Sequence, residues 1–345
     1  MSNENQESRS HESEFCLLYS DSCILILKRG CMDLLEQALK GSSRAIAKLI
    51  TLVENRGEGA DEVMGEIYPH TGRAYIIGVT GPPGSGKSTL VDKITLKLIQ
   101  QDFTAGIIAI DPSSPFTGGA VLGDRLRMKN VDTQEKVFIR SLSTRGSIGG
   151  LSRATCNTAR ILDACGKDFI VIETVGVGQD EVEIVSIADT SIVVLMPGTG
   201  DEIQTIKAGV MEIGDIFVVN KSDREGADRT AQMVRMMLDL KQSQNNWVPP
   251  VVKTVATEDT GTGDLVEKLH SHREYLTQSG KFLERRKERV KTEIRKMVEE
   301  RIGAQVKRFI EGRSSFNAMV EEVVARKKDP YACARELTES LKRLE

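Results

Sequence analysis

Aromatic residues are scarce in this chain. At 4% of 345 residues, with a single tryptophan, they leave little material for base-stacking platforms or aromatic sugar-binding surfaces. Long apolar runs are missing too: none approaches the ~20 residues needed to cross a bilayer, and the most apolar stretches, such as Ser191–Met196, are strand-sized. No membrane partner is expected. Neither sign of charge dominates; a formal net charge of -3 provides no global field to draw in nucleic acid or anionic lipid, so no nucleic-acid partner is expected either. The first residues carry Glu4, Glu7, Glu12 and Glu14 against Arg9, unlike a basic signal-peptide start or an acid-poor transit peptide, which points to a cytoplasmic location. The cysteines, at 16, 23, 31, 156, 165 and 333, form no C-x-x-C pair, and histidines are few, which argues against a structural zinc site or a disulfide framework. The one histidine pair, in His270-Ser271-His272, lies in a polar stretch and is expected on the solvated surface without a role.

The chain does contain an Ile, Val, Leu and Ala core, enough for about two domains at ~150 residues each. Three zones are visible. Residues 1–72 begin polar and then take helical spacing through Leu34, Leu35, Ala38, Leu39, Ile46, Leu49, Ile50 and Val53. Residues 73–272 alternate β-branched runs with helix-length segments. The expected strands are Ala74–Val79, Ala105–Ile110, Val137–Leu142, Phe169–Thr174, Ser191–Met196, Ile216–Asn220 and Val251–Ala256. Continuous apolar strands separated by helices imply an α/β fold with a mostly parallel sheet covered on both faces. In residues 273–345 the character changes: 14 of the 21 residues from Lys281 to Arg301 are charged, and Val290, Ile294, Met297, Ile302, Val306 and Ile310 form a narrow helical stripe. That stripe either packs on its own domain or meets a second subunit.

The most informative segment is Gly81-Pro82-Pro83-Gly84-Ser85-Gly86-Lys87-Ser88, which fits G-x-x-x-x-G-K-[ST] directly after an expected strand and before a helical pattern. Gly84 and Gly86 let backbone N–H groups converge on phosphate oxygens, and the helix N-terminus adds its positive dipole end. Lys87 reaches the β and γ phosphates, and the Ser88 hydroxyl ligates magnesium. Downstream, the strand ending at Asn220 runs into Lys221-Ser222-Asp223, an N-K-x-D sequence. A carboxylate at Asp223 accepts from the N1–H and 2-amino edge of guanine, whereas adenine offers no 2-amino donor and presents an N1 acceptor, so GTP is favoured over ATP. Asn220 and Lys221 would brace the surrounding loops, with Val255-Ala256-Thr257 placed for a backbone contact to the guanine oxygen.

Two expected strands end in carboxylates, Asp111 and Glu173, at the sheet edge where ligands bind in open α/β folds; Asp124 follows the first. These acids either hold Mg2+ or its waters, or cap a helix or turn. Gly176 could approach the γ phosphate, giving GTPase-switch behaviour, and Gln179 is either a water-positioning group or an interface residue.

Taken in order, GVTGPPGSGKSTL, AIDPSSPFTGGAVLGDRLRM, FIRSLSTRGSIGGLS, IETVGVGQDEVEI, MPGTGDEIQTIKAG and NKSD closely resemble the MeaB-type GTPases, also called ArgK-like, the family of the methylmalonic aciduria type A protein. The likeness spans roughly residues 40–330. It implies a P-loop G domain with helical flanks and a C-terminal homodimerisation arm. It also implies a G-protein chaperone that gates cofactor loading and protects or reactivates an adenosylcobalamin-dependent acyl-CoA mutase, chiefly methylmalonyl-CoA mutase. By position, it implies a nucleotide cradle from Gly81 to Thr89, magnesium and switch functions at Asp111 and Asp124, and a second switch from Glu173 to Gln179. A further switch would span Pro197–Lys207, with Lys207 near the nucleotide. Ser147 stands where the family motif is expected to carry His, and the first ~30 residues have no identified counterpart. Two other readings compete: a nickel-inserting GTPase metallochaperone, which predicts clustered Cys and His, and an ATP-dependent kinase serving amino-acid transport, which Asp223 opposes.

Overall fold

The computed structural model describes residues 30, 32–111, 128, 130–143, 150–174, 187–198, 212–240 and 247–342. They fall into two compact units, Met1–Ser279 and Gly280–Glu345.

The first unit is organised by seven strands, β1 (Tyr75–Thr80), β2 (Ala105–Asp111), β3 (Val137–Ser143), β4 (Phe169–Glu173), β5 (Thr190–Leu195), β6 (Ile216–Val219) and β7 (Val251–Lys253). They form one sheet in the order β3-β2-β4-β1-β5-β6-β7, with every pairing parallel. Strands β4, β5 and β6 are buried at every position, which is why they read as unbroken apolar runs. The helices are α1 (Ser43–Glu54), α2 (Ala60–Ile67), α3 (Lys87–Gln100), α4 (Gly150–Ala164), α5 (Ala227–Leu240) and α6 (Thr262–Gln278). A further helical segment covers residues 32–39.

The N-terminal helices share the core of the sheet. Leu49, Ile50 and Val53 of α1 and Val63 and Ile67 of α2 join Ile161 and Leu162 of α4 against Ile108, Ile110, Ile170 and Ile172. Another layer contains α3, which packs on β1, β2 and β4 and against α6. A single carboxylate closes the α4 end of this arrangement: Asp163 accepts from the backbone N–H groups of Gly72, Arg73 and Ala74 at 2.6, 3.1 and 2.9 Å, fixing the approach to β1.

The N-terminal end of the sheet holds a buried polar cluster. Asp189 accepts from the Ile76 amide and Asp215 from the Ser191 amide, each at 2.9 Å. The Thr190 hydroxyl bonds both the Tyr75 hydroxyl and His272 Nδ1, and burial drives the Tyr75 phenol well above its ordinary value. His272 is therefore not on the surface as its polar surroundings suggest. It is fully buried, 3.4 Å from Asp215 and packed on Trp247 at 4.7 Å between ring centroids. The physical reason is helical phase: Leu265, Leu269, His272 and Leu276 follow the buried stripe of α6. His270, on another face, is half-buried and bonds Gln101 at 2.8 Å.

The second unit comprises α7 (Lys281–Glu311), α8 (Ser314–Val324) and α9 (Pro330–Lys342). Helix α7 continues ten residues past the charged stretch that announces it, to Glu311, and packs on α8 and α9. None of its residues is buried, and Leu283, Val290, Ile294, Val298 and Ile302 are exposed. No helix among the described residues is long and apolar enough to cross a membrane.

Candidate nucleotide site

In this sheet the connections leaving β1 and β4 diverge, one towards β2 and the other across β1 to β5. Ligands bind in open α/β sheets at such a point, outside the C-terminal strand ends. The residues 81–86 occupy that position, between β1 and the N-terminus of α3.

Two glycines in this loop are dictated by what surrounds them. At Gly81, with φ of +143°, a Cβ would lie 2.0 Å from the Val194 carbonyl oxygen of β5. At Gly86, with φ of +89°, a Cβ would lie 2.3 Å from Asn220 Nδ2. The loop is thus pressed against β5 on one side and the N-K-x-D segment on the other. Gly86 also caps α3 without a side-chain acceptor, and no acid lies in the first helical turn, so the helix N-terminus retains its positive end for an anion. Pro82, Pro83 and Gly84 form the tip, where Pro83 and Gly84 are exposed and Ser85 is buried. Lys87 is 6% exposed and donates to the carbonyls of Gly81 and Pro82 at 2.8 and 3.1 Å. Its ammonium is therefore held over the loop that would carry phosphate.

Ser88 and Glu173 meet directly. The Ser88 hydroxyl donates to Glu173 Oε1 at 2.7 Å, and both residues are buried. Glu173 ends β4, the immediate neighbour of β1, so sheet pairing sets this contact. Two oxygen donors beside a phosphate cradle match the preference of Mg2+ for hard ligands, and the residues present fit that ion. Thr89 follows in the first turn of α3.

The base-side elements are cross-braced onto the loop. Asn220 donates from Nδ2 to the Ser85 carbonyl at 2.8 Å and accepts at Oδ1 from the Thr254 hydroxyl and the Ala256 amide, at 3.0 and 3.1 Å. Lys221, in a left-handed conformation at φ of +56°, donates to the Gly84 carbonyl at 2.7 Å. Asp223 is exposed one turn beyond. Val255 and Ala256 are buried and Thr257 exposed, in a 3-10 turn spanning Ala256–Glu258. Asp259 closes that turn by bonding Thr262 and Lys97, and the Lys97 ammonium at 2.9 Å and the Thr262 hydroxyl outweigh burial to hold its carboxyl below the usual range.

The structure thus brings Gly81 to Thr89, Glu173, Asn220, Lys221, Asp223 and Val255 to Thr257 to one sheet edge. Asp111 ends β2 on the same edge, and its side chain lies outside the described set. Asp124, Ser147, Gly176, Gln179 and Lys207 lie outside the described residues, as do Cys16, Cys23 and Cys31. Thr254 is a brace that the sequence did not single out; its hydroxyl is fully buried against Asn220, and nothing in its local pattern announces that partner. Among the described residues no group of three or more His, Cys, Asp or Glu side chains could hold a metal ion.

Fold and site together define a P-loop nucleoside triphosphatase. A solved structure described as LAO/AO transport system kinase superposes with a TM-score of 0.68 at 25% identity, covering 90% of this chain and 97% of that one. The chain belongs to the family described as methylmalonyl Co-A mutase-associated GTPase MeaB, whose model matches residues 46–311. A Pyrococcus abyssi protein named as a GTPase is 51% identical over 305 residues, 88% of this chain and 94% of that protein. The methylmalonic aciduria type A homolog, mitochondrial, of Caenorhabditis elegans is 31% identical over 298 residues, 81% of this chain and 74% of that protein.

Proposed function

We propose that the protein binds and hydrolyses GTP with Mg2+ and acts on an adenosylcobalamin-dependent acyl-CoA mutase, with methylmalonyl-CoA mutase as the favoured partner. In this role it gates cofactor loading and protects or reactivates the mutase. The observation that carries the nucleotide reading is the brace between Asn220, Lys221 and the loop carbonyls of Ser85 and Gly84, which ties base recognition to phosphate binding. The mutase reading rests on the family description and on the name of the nematode relative.

In the proposed chemistry water attacks the γ phosphorus in line: an O–P bond forms, the bond to the β-phosphate oxygen breaks with its electron pair leaving on GDP, and the water's proton passes to the phosphate or to solvent. Lys87 leaves its loop carbonyls to neutralise charge on the β and γ oxygens, and the loop amides hold the phosphates in line. Ser88 and Glu173, with Asp111 and Asp124, would hold the magnesium ion, which would supply neutralisation of phosphate charge. Asp223 selects guanine, with Val255 to Thr257 alongside the base. Gly176 and the segment Pro197–Lys207 are assigned to switching, Gln179 and Lys207 to the γ-phosphate side. The exposed apolar stripe of α7 is assigned to a homodimer contact.

The test is co-purification with methylmalonyl-CoA mutase in a non-hydrolysable GTP analogue and in GDP, followed by GTPase rates with and without mutase. Nucleotide-dependent binding and a mutase-stimulated rate are expected. No binding in either state and no rate change would remove that mutase as partner. Preference for ATP in competition would remove the GTP assignment itself.

A further inference from the structure

Helix α3 carries a polar stripe where its neighbours are apolar. Ser88, Asp92 and Thr95 recur at helical spacing and are 7%, 2% and 0% exposed, beside the fully buried Leu90, Val91, Ile94 and Leu98. A carboxylate buried to this degree needs a partner. Asp92 has one: Oδ2 accepts from Asn130 Nδ2 at 2.8 Å, while Oδ1 is buried and has no hydrogen-bond partner among the described residues. Asp92 lies one helical turn after Ser88, and its turn of the helix is continuous with Lys87.

Asn130 itself is exposed, whereas Met128 and Val131 are fully buried. Met128 and Val131 seat this point ahead of β3 in the core, and in sequence Asn130 stands six residues beyond Asp124. The Asp92 bond registers that point against the very helix that presents Lys87 and Ser88. Ordinary core design would put a hydrophobic residue at position 92, since the half-satisfied carboxylate lowers stability.

We propose that Asp92 is a positioning residue for the hydrolytic step. By accepting from Asn130 it sets the anchor downstream of Asp124 in register with the phosphate loop. It touches neither substrate nor metal, and it acts on turnover rather than on nucleotide binding. This inference rests on the GTPase reading above.

The experiment uses the full chain and compares wild type with Asp92→Ala, Asp92→Asn and Asn130→Ala. GDP affinity is measured by titration with a fluorescent GDP, and single-turnover GTP hydrolysis is measured over a range of magnesium concentrations. Asp92→Ala and Asn130→Ala are each expected to lower the hydrolysis rate about tenfold and to raise the magnesium needed for half-maximal rate, with GDP affinity within about twofold of wild type. Asp92→Asn keeps an acceptor oxygen for Asn130 and is expected to retain most of the rate. The exposed Asn130 supplies a variant that folds even where Asp92→Ala does not. An unchanged rate in Asn130→Ala overturns the proposal, as does an equal loss of rate and GDP affinity, or an Asp92→Asn rate as low as that of Asp92→Ala. A wild-type protein that hydrolyses no GTP would instead reject the underlying GTPase reading, so the two failures are separable.

Discussion

Alanine at position 86 isolates the contact between the phosphate loop and Asn220. The backbone there is left-handed, with φ of +89°, so any β-carbon costs about 1–2 kcal/mol before it meets another atom. It would then lie 2.3 Å from Asn220 Nδ2, a distance no real contact tolerates, so Asn220 must move. Its hydrogen bonds to Ser85, Thr254 and Ala256 would be lost, at about 1 kcal/mol each. Gly86→Ala should therefore destabilise the nucleotide-free protein by about 4–5 kcal/mol. Gly84 is the internal control: its φ is +77°, but nothing lies within 4 Å of its added Cβ. Gly84→Ala should cost only the backbone term, about 1–2 kcal/mol. Urea unfolding followed by circular dichroism, without nucleotide, reads the difference as a shift in midpoint at constant slope. Equal midpoints for the two variants would refute the reasoning, because the Asn220 brace would then yield without loss.

Three further outcomes follow from the same structure. Asp223→Ala should reduce the preference for GTP over ATP by about a hundredfold in competition binding while leaving binding of inorganic triphosphate unchanged; retained discrimination would exclude Asp223 as the guanine reader. Asp163→Ala removes the acceptor of three amides at the approach to β1 and should cost about 2–3 kcal/mol in urea unfolding, against less than about 0.5 kcal/mol for a surface acid such as Asp132→Ala. Burial pushes the Cys165 thiol up to about 11 from an ordinary value near 9, so its contribution to stability is full below pH 9 and is lost as pH rises through 11. Cys165, half-buried, should accordingly react with thiol reagents at neutral pH more slowly than it does in the unfolded chain, and equal labelling rates by mass spectrometry in the two states would refute the shift.

The sheet was legible because most of its strands are buried on both faces. Six of the seven expected strands agree with the observed ones to within a residue at each end, since an unbroken β-branched run leaves little freedom in placing a boundary. The seventh was expected to reach Ala256 and stops at Lys253: the Thr254 amide still bonds the Val219 carbonyl, but Val255 turns to pair with Thr260 and Ala256 opens a 3-10 turn. The phosphate loop and N-K-x-D were legible for a different reason: their chemistry is local, and each motif carries its own turn and donors. What could not be read was pairing across the chain. Nothing near Asp92 names Asn130, and nothing near Asp163 names the amides of residues 72–74. His272 was misread by composition, although its spacing from Leu265, Leu269 and Leu276 carried the answer.

Trp247 is the sole tryptophan of the chain, and its place makes the protein its own optical reporter. The indole N–H donates to the Asp215 carbonyl at 2.9 Å, just ahead of β6, and the ring packs on His272 and Tyr275 of α6. Asn220 follows the other end of that strand, five residues on from Asp215 and about 17 Å away at the usual rise. Tryptophan emission therefore comes from one known point, at the end of the sheet opposite the phosphate loop. Any change in it upon adding GTP would register a displacement carried along β6 or through α6, read without a label.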